Sequence, residues 1–149
     1  MKPKLVGASL GLQFAFEAIS KGATVSEPIR DNAPYDFIVE KDGKMFRVQV
    51  KSCAPHTQKG GYRFPTSRRV PVATPAGKLS SKSVPYKKGD FEALVTLAEE
   101  TWYLFDDSIL GKVALYLNPR SPKLATATPF KENWALIGLR DSRPTHALR

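Results

Sequence analysis

The chain has one cysteine, Cys53, and two histidines, His56 and His146. A single thiol cannot close an intrachain disulfide, and so few scattered imidazoles and thiols do not build a histidine–cysteine metal centre. Cys53 is therefore read as an inert small residue. Both histidines are read as loop residues, with a phosphate contact as the alternative role for His56. No apolar run approaches the roughly 20 residues of a membrane-spanning helix. The opening residues, Met1 to Leu5, lack the charged, apolar and small-residue regions of a secretory signal. The expectation is a bacterial cytoplasmic protein in a reducing compartment. One further absence is local: between Lys51 and Gly89 there is no Asp or Glu, although the chain has 14 acidic residues.

The same segment carries nine Lys and Arg. Removing those nine from the 23 basic residues leaves 14, equal to the acidic count, so the whole net charge of +9 sits in one block. Such a block calls for a polyanion, a membrane surface or disorder. The length of 149 residues fits a single domain, 1–149, with the basic stretch at about 55–90 as an insertion in it.

Apolar spacing predicts a helix over about Lys4–Lys21, with Leu12, Ala15, Phe16 and Ile19 as its buried stripe. Gly22 stands where a helix closes in a left-handed residue. Ala23 to Ser26 reads as a short extended piece. Tyr35–Lys41 and Lys44–Ser52 read as strands, joined by Asp42-Gly43, a strong hairpin signal. In the second strand Phe46, Val48 and Val50 take one face and Arg47, Gln49 and Lys51 the other. Pro55–Gly89 reads as hairpins and long loops, with Tyr62-Arg63-Phe64 as part of a ribbon. Phe91–Leu97 and Thr101–Phe105 form a second hairpin. Asp106–Leu110 starts a short helix, Val113–Leu117 is ambiguous, and the apolar residues of Phe130–Leu139 cap the core. Trp102 and Trp134 are core residues. Arg140, Arg143, His146 and Arg149 form a basic tail.

A two-residue turn at Asp42-Gly43 fixes a register: Lys41 pairs with Lys44, Glu40 with Met45 and, continuing, Asp36 with Gln49. Directly opposed side chains share a face, with Cβ atoms about 4.5–5.5 Å apart. Lys51 lies on that face two residues on. Asp36, Gln49 and Lys51 should therefore converge at the open end of the hairpin. An isolated Asp and Lys across a hairpin are ordinarily a solvated pair worth less than about 1 kcal/mol. Joined by an amide oxygen, they can do more. A carboxylate and an amide oxygen are hard donors suited to Mg²⁺. A neighbouring lysine can orient or activate water and offset charge on a phosphodiester.

Pro34-Tyr35-Asp36 followed by Arg47-Val48-Gln49-Val50-Lys51, after a helix, resembles the PD-(D/E)XK nucleases. The wider run, Val25-Ser26-Glu27-Pro28, Asp31 through Val39 and Arg47 through Ser52, is similar to the group I intron-encoded homing endonucleases of cyanobacteria. Thr101-Trp102-Tyr103-Leu104 adds weaker support. The resemblance implies an α+β or α/β fold: a restriction-endonuclease-like core with a mixed central sheet flanked by helices, and basic hairpin or loop extensions that bind DNA. It implies Mg²⁺ or another divalent cation as cofactor, held by Asp36, Gln49 and the Val50 backbone carbonyl, with Lys51 as the motif lysine. Gln49 stands where most relatives have Glu or Asp, a departure this subgroup shares. Many relatives also place a Glu on the first helix. That position falls at Gly11, which implies an impaired or inactivated site, by design or by natural loss. The bland alternative is that Gly11 lets the helix pack closely.

The expected activity is site-specific hydrolysis of double-stranded DNA. Gln58, Lys59, Arg63, Arg68, Arg69, Lys78, Lys82, Lys87 and Lys88 are the expected DNA-binding residues. Lysine and arginine supply affinity through phosphates, and Arg, Lys and Gln can read base edges. One site cuts one strand, so a double-strand break requires a dimer at least, or a dimer of dimers. A junction-resolving nuclease and a non-catalytic DNA-binding module are the alternatives. The first would cut four-way junctions in preference to linear duplexes; the second would bind DNA equally well after Asp36→Ala.

Overall fold

In the computed structural model, which describes residues 3–56, 60–112, 114–121 and 125–140, Pro3 opens the helix α1 (Pro3–Ser20). Proline is well placed there, because the first helical N–H has no partner within the helix. Gly22, at φ 90°, ends the helix, and the Ala23 N–H returns to the Ala18 carbonyl at 3.1 Å.

The buried face of α1 differs from the expected one. Leu10, Phe14 and Ala18 are buried, whereas Leu12, Phe16 and Ile19 are 69, 71 and 56 % exposed. Of the expected stripe only Ala15 packs on the core. The helix is apolar around most of its circumference, so spacing alone admits two stripes. The face that wins is the one on which small residues, Gly11, Ala15 and Ala18, flank a single large ring. They let Phe14 sink until it meets Phe37, Trp102 and Trp134 at centroid distances of 5.8, 5.9 and 5.9 Å.

The strands follow as β1 (Thr24–Ser26), β2 (Phe37–Lys41), β3 (Lys44–Val50), β4 (Ala54–Pro55), β5 (Tyr62–Pro65), β6 (Ser67–Ala73), β7 (Leu79–Pro85), β8 (Ala93–Ala98), β9 (Thr101–Phe105) and β10 (Ala114–Leu117). The central sheet has the order β1-β2-β3-β8-β9. It is antiparallel except where β3 and β8 run parallel, so it is mixed, as expected. β8 is apolar on both faces, as suits a strand covered on both sides. Helix α1, Trp134, Ile137 and Leu139 cover one face. Phe64, Tyr86, Phe91, Leu115 and Leu117 cover the other, against Leu94, Tyr103 and Phe105. One α-helix, not several, therefore flanks the sheet among the described residues. No described helix is long and apolar enough to cross a membrane.

The path from β3 to β8 occupies residues 51–92 and contains all the remaining strands but β10. β5 lies between β10 and β4 in a three-stranded sheet, with Phe64 fully buried. Tyr62-Arg63-Phe64 is thus a central strand and not a free ribbon. The ribbon is β6 paired with β7, from Ser67 opposite Pro85 to Ala73 opposite Leu79. None of its residues is buried. Asp107–Ile109 is a single 3-10 turn, whose Asp106 side chain accepts from the Ser108 N–H at 3.0 Å. The ambiguous stretch near 113–117 is β10. The core-capping segment near the C-terminus is a 3-10 turn at Trp134–Ile137, and both tryptophans are buried.

Candidate active site

The site is positioned by the β2–β3 hairpin. Asp42 and Gly43 both have positive φ, 50° and 77°, the conformation of a tight two-residue hairpin turn. The register that follows is the expected one, with Lys41 opposite Lys44, Glu40 opposite Met45 and the ladder ending at Phe37 opposite Val48. Asp36 lies one residue beyond it. Its N–H donates to the Val48 carbonyl at 2.9 Å, and its carboxylate oxygen Oδ2 accepts from the Val50 N–H at 2.9 Å. The other edge of β3 is held by β8, and the Lys51 N–H donates to the Val95 carbonyl at 2.9 Å. The backbone at 49–51 is therefore fixed from both sides.

Asp36, Gln49 and Lys51 line one cavity of about 610 Å³. The segment Asp31–Pro34, Tyr86 and the foot of the ribbon, from Arg68 to Pro71, complete its wall. The Lys51 ammonium donates to the Ser67 carbonyl and lies 5.6 Å from the centre of the Tyr86 ring. Arg68 donates to the Asn32 carbonyl at 3.2 Å. These two contacts fasten the ribbon to the floor of the cavity. A second hollow, of about 460 Å³, shares Asp36 and Gln49 and extends along α1 past Gly7, Ala8 and Gly11. Gly11 is thus beside the site. A Cβ there would meet only the Phe37 ring, at 3.4 and 3.5 Å, which is ordinary contact. Packing does not demand glycine at this position.

The electrostatics match a cleft in which charge is partly desolvated. Burial raises the Asp36 carboxyl above its usual value; the Val50 hydrogen bond opposes this, Glu27 adds to it and Lys51 opposes it. Burial lowers the Lys51 ammonium, with Asp36 opposing. Burial also raises the Tyr86 phenol, which stays neutral. Among the described residues no cluster of three or more His, Cys, Asp or Glu exists. A cation here would draw on one carboxylate, an amide oxygen, a backbone carbonyl and water or phosphate. Those are hard oxygen donors, which suits Mg²⁺.

The profile of the PD-(D/E)XK endonuclease family matches residues 1–130. The chain belongs to this family. It is 28 % identical to protein 5.3 of Escherichia phage T7 over 118 residues, covering 78 % of this chain and 92 % of that one. Its fold matches the structure of a bacterial homing endonuclease, I-Ssp6803I, with a TM-score of 0.76 and 24 % identity over 91 % of this chain and 93 % of that one. The PD-(D/E)XK fold accounts for the hairpin, the mixed sheet and the helix against it.

The expected basic residues fall into two groups. Arg68 and Arg69 on β6, Lys82 on β7 and Lys78 at the ribbon tip belong to the ribbon. Lys87 and Lys88 follow it on an exposed loop, and Arg63 sits exposed on β5. Gln58 and Lys59 lie outside the described residues, as do Arg143, His146 and Arg149. His56 packs edge-on against Tyr116 at 5.2 Å, and the Cys53 thiol donates to the Leu97 carbonyl at 3.3 Å. Sequence reasoning missed Tyr86, 35 positions beyond Lys51, and Glu27 beside Asp36. Tyr86 carries no local signal, because it reaches the site only through tertiary folding; Glu27 stands in the family-like run Val25-Ser26-Glu27-Pro28, which gives it no role.

Proposed function

We propose that this PD-(D/E)XK protein is a divalent-metal-dependent endonuclease that hydrolyses double-stranded DNA at specific sites. The observation behind the proposal is that Asp36, Gln49 and Lys51 line one cavity whose rim is the foot of a basic ribbon.

The Asp36 carboxylate, the Gln49 amide oxygen and the Val50 carbonyl are the groups that would hold the cation. Gln49 Nε2 donates to the Val50 carbonyl at 3.4 Å, so the amide would have to turn for its oxygen to hold the cation. A bound Mg²⁺ lowers the pKa of water and offsets negative charge on phosphate. Burial lowers the Lys51 pKa: as the ammonium it orients the attacking water and stabilises charge on the phosphorus oxygens, and as the free amine it would accept the water's proton. Tyr86 holds the lysine over the cavity through its ring. Arg68 and Arg69 take DNA phosphates at the rim, and the ribbon, as a DNA-binding extension of one nuclease domain, enters a major groove wide enough for two strands. Cutting both strands calls for two copies, and the exposed Leu12, Phe16 and Ile19 stripe is an apolar surface for their contact.

The test is cleavage of a duplex library in Mg²⁺. Products are expected with the unaltered chain, and both Asp36→Ala and Lys51→Ala should lower the rate at least ~100-fold, the scale of a lost acid–base group. Binding measured in Ca²⁺ should persist in Lys51→Ala. Equal cleavage by Asp36→Ala would sink the assignment. Gly11 itself favours one other reading, a DNA-binding module without catalysis, which requires that the unaltered chain bind DNA without cutting it and that Asp36→Ala leave that binding unchanged.

A further inference from the structure

The hollow between α1 and β3 contains a carboxylate that the motif does not assign. Glu27, just after β1, lines it together with Asp36, Gln49, Val50 and Gly11. The helix lines it with Gly7, Ala8, Gly11 and Leu12, and the two glycines put no side chain into it. A Cβ at Gly7 would meet no atom within 4 Å. The hollow therefore stays open where a helix side chain would otherwise stand. Among the described residues no cation pairs with Glu27. Two carboxylates thus line one hollow, together with Gln49 and Val50, which bring an amide oxygen and a backbone carbonyl.

We propose that Glu27 supplies the second carboxylate of the cation site, directly or through one bound water, from β1 instead of from the helix. The inference rests on the nuclease reading above and deepens it. Mg²⁺ keeps several waters when bound, so a carboxylate on the opposite wall of a hollow that also admits water can still act on it. The glycine at 11 then marks a carboxylate moved across the cleft, and not one lost. The two positions are alternative sources of the same charge.

The experiment is Mn²⁺ binding to the full chain without DNA, followed by the free-ion paramagnetic resonance signal, in the unaltered protein and in Asp36→Asn, Glu27→Gln, Gly11→Glu and the Glu27→Gln/Gly11→Glu pair. Thermal melts verify that each variant is folded. Asp36→Asn should abolish binding. Glu27→Gln should weaken it about tenfold or more, on the scale of losing a group that supports a metal site. Gly11→Glu should help little alone yet recover most of the loss in the Glu27→Gln background, the non-additivity expected of groups that share one ion. If Asp36→Asn abolishes binding and Glu27→Gln leaves it unchanged, the role given to Glu27 is wrong and the motif site stands. If Asp36→Asn binds Mn²⁺ as well as the unaltered chain, or no variant binds it at all, the nuclease reading itself fails.

Discussion

The central sheet and the β6–β7 ribbon are built on opposite plans. In the sheet, β8 is apolar on both faces and buried, and Phe14 is completely enclosed by aromatic neighbours. In the ribbon no residue is buried, and the exposed positions are Ser, Lys, Arg, Pro and small apolar groups. The ribbon coheres through its ladder and through two contacts at its foot, Lys51 to the Ser67 carbonyl and Arg68 to the Asn32 carbonyl. The difference separates tasks. Burial supports the fold in one region, and the other is free to present charge because it contributes little to the core.

The largest effect should follow Phe14→Ala, which empties space between Phe37, Trp102 and Trp134. Urea unfolding should show a loss of about 3–5 kcal/mol. Next, Arg69→Ala and Lys82→Ala should each leave unfolding unchanged. Each should weaken DNA binding and flatten the slope of log K against log salt by about 1, as expected of a lost phosphate contact. If either lowers stability as Phe14→Ala does, the division between the regions is wrong.

A smaller effect concerns the seam where β3 meets β8. Glu92 accepts from the Arg47 backbone N–H and pairs side-on with its guanidinium. Burial would raise the Glu92 carboxyl, but the hydrogen bonds and charge of Arg47 outweigh it and hold it below the usual value of 4.5. A depressed carboxyl stabilises the fold above its unfolded value, and the gain disappears as pH falls through the lower folded value. Both groups are over a third exposed, so Glu92→Gln should cost only about 1 kcal/mol at neutral pH. Unfolding curves of the two proteins should converge in acid; a gap that persists at low pH would mean that shape, not charge, holds the seam. Smallest of all, Leu79→Ser at the ribbon end, where Leu79 is 88 % exposed, should change stability by less than about 0.5 kcal/mol.

What the sequence discloses divides along the same line. The β2–β3 register was legible to the residue because Asp42-Gly43 admits one tight turn, and that turn alone brings Asp36 opposite Gln49. The β8–β9 hairpin was legible as a hairpin but not to the residue, since β8 runs from Ala93 to Ala98 and Ala98 pairs with Thr101; the two core tryptophans were legible as core. The helix face was not: Leu12, Phe16 and Ile19 fit helical periodicity as well as Leu10, Phe14 and Ala18 do, and only the sheet beneath decides. The ribbon was hidden because its strands carry no apolar alternation and contain Pro71, which only a ladder with open edges tolerates. The parallel pairing of β3 with β8 joins segments some forty positions apart. Tyr86 comes to the site by the same kind of distant closure, whereas Glu27 is brought there locally, just beyond the β1–β2 ladder that ends with Ser26 opposite Ile38.

Between Phe64 and Tyr86, both buried in the core, the β6–β7 ribbon leaves the body and returns to it, as a sleeve sewn along a single hem. Loop closure grows only slowly with length, so the sleeve can be recut while the cloth keeps its weave. Adding one residue to each arm of the ribbon would lengthen it and preserve its pairing. Adding one residue to a single arm would turn that arm's side chains to the opposite face. Changes toward the ribbon's tip could therefore alter the charge it presents and leave the cavity of Asp36, Gln49 and Lys51 in place.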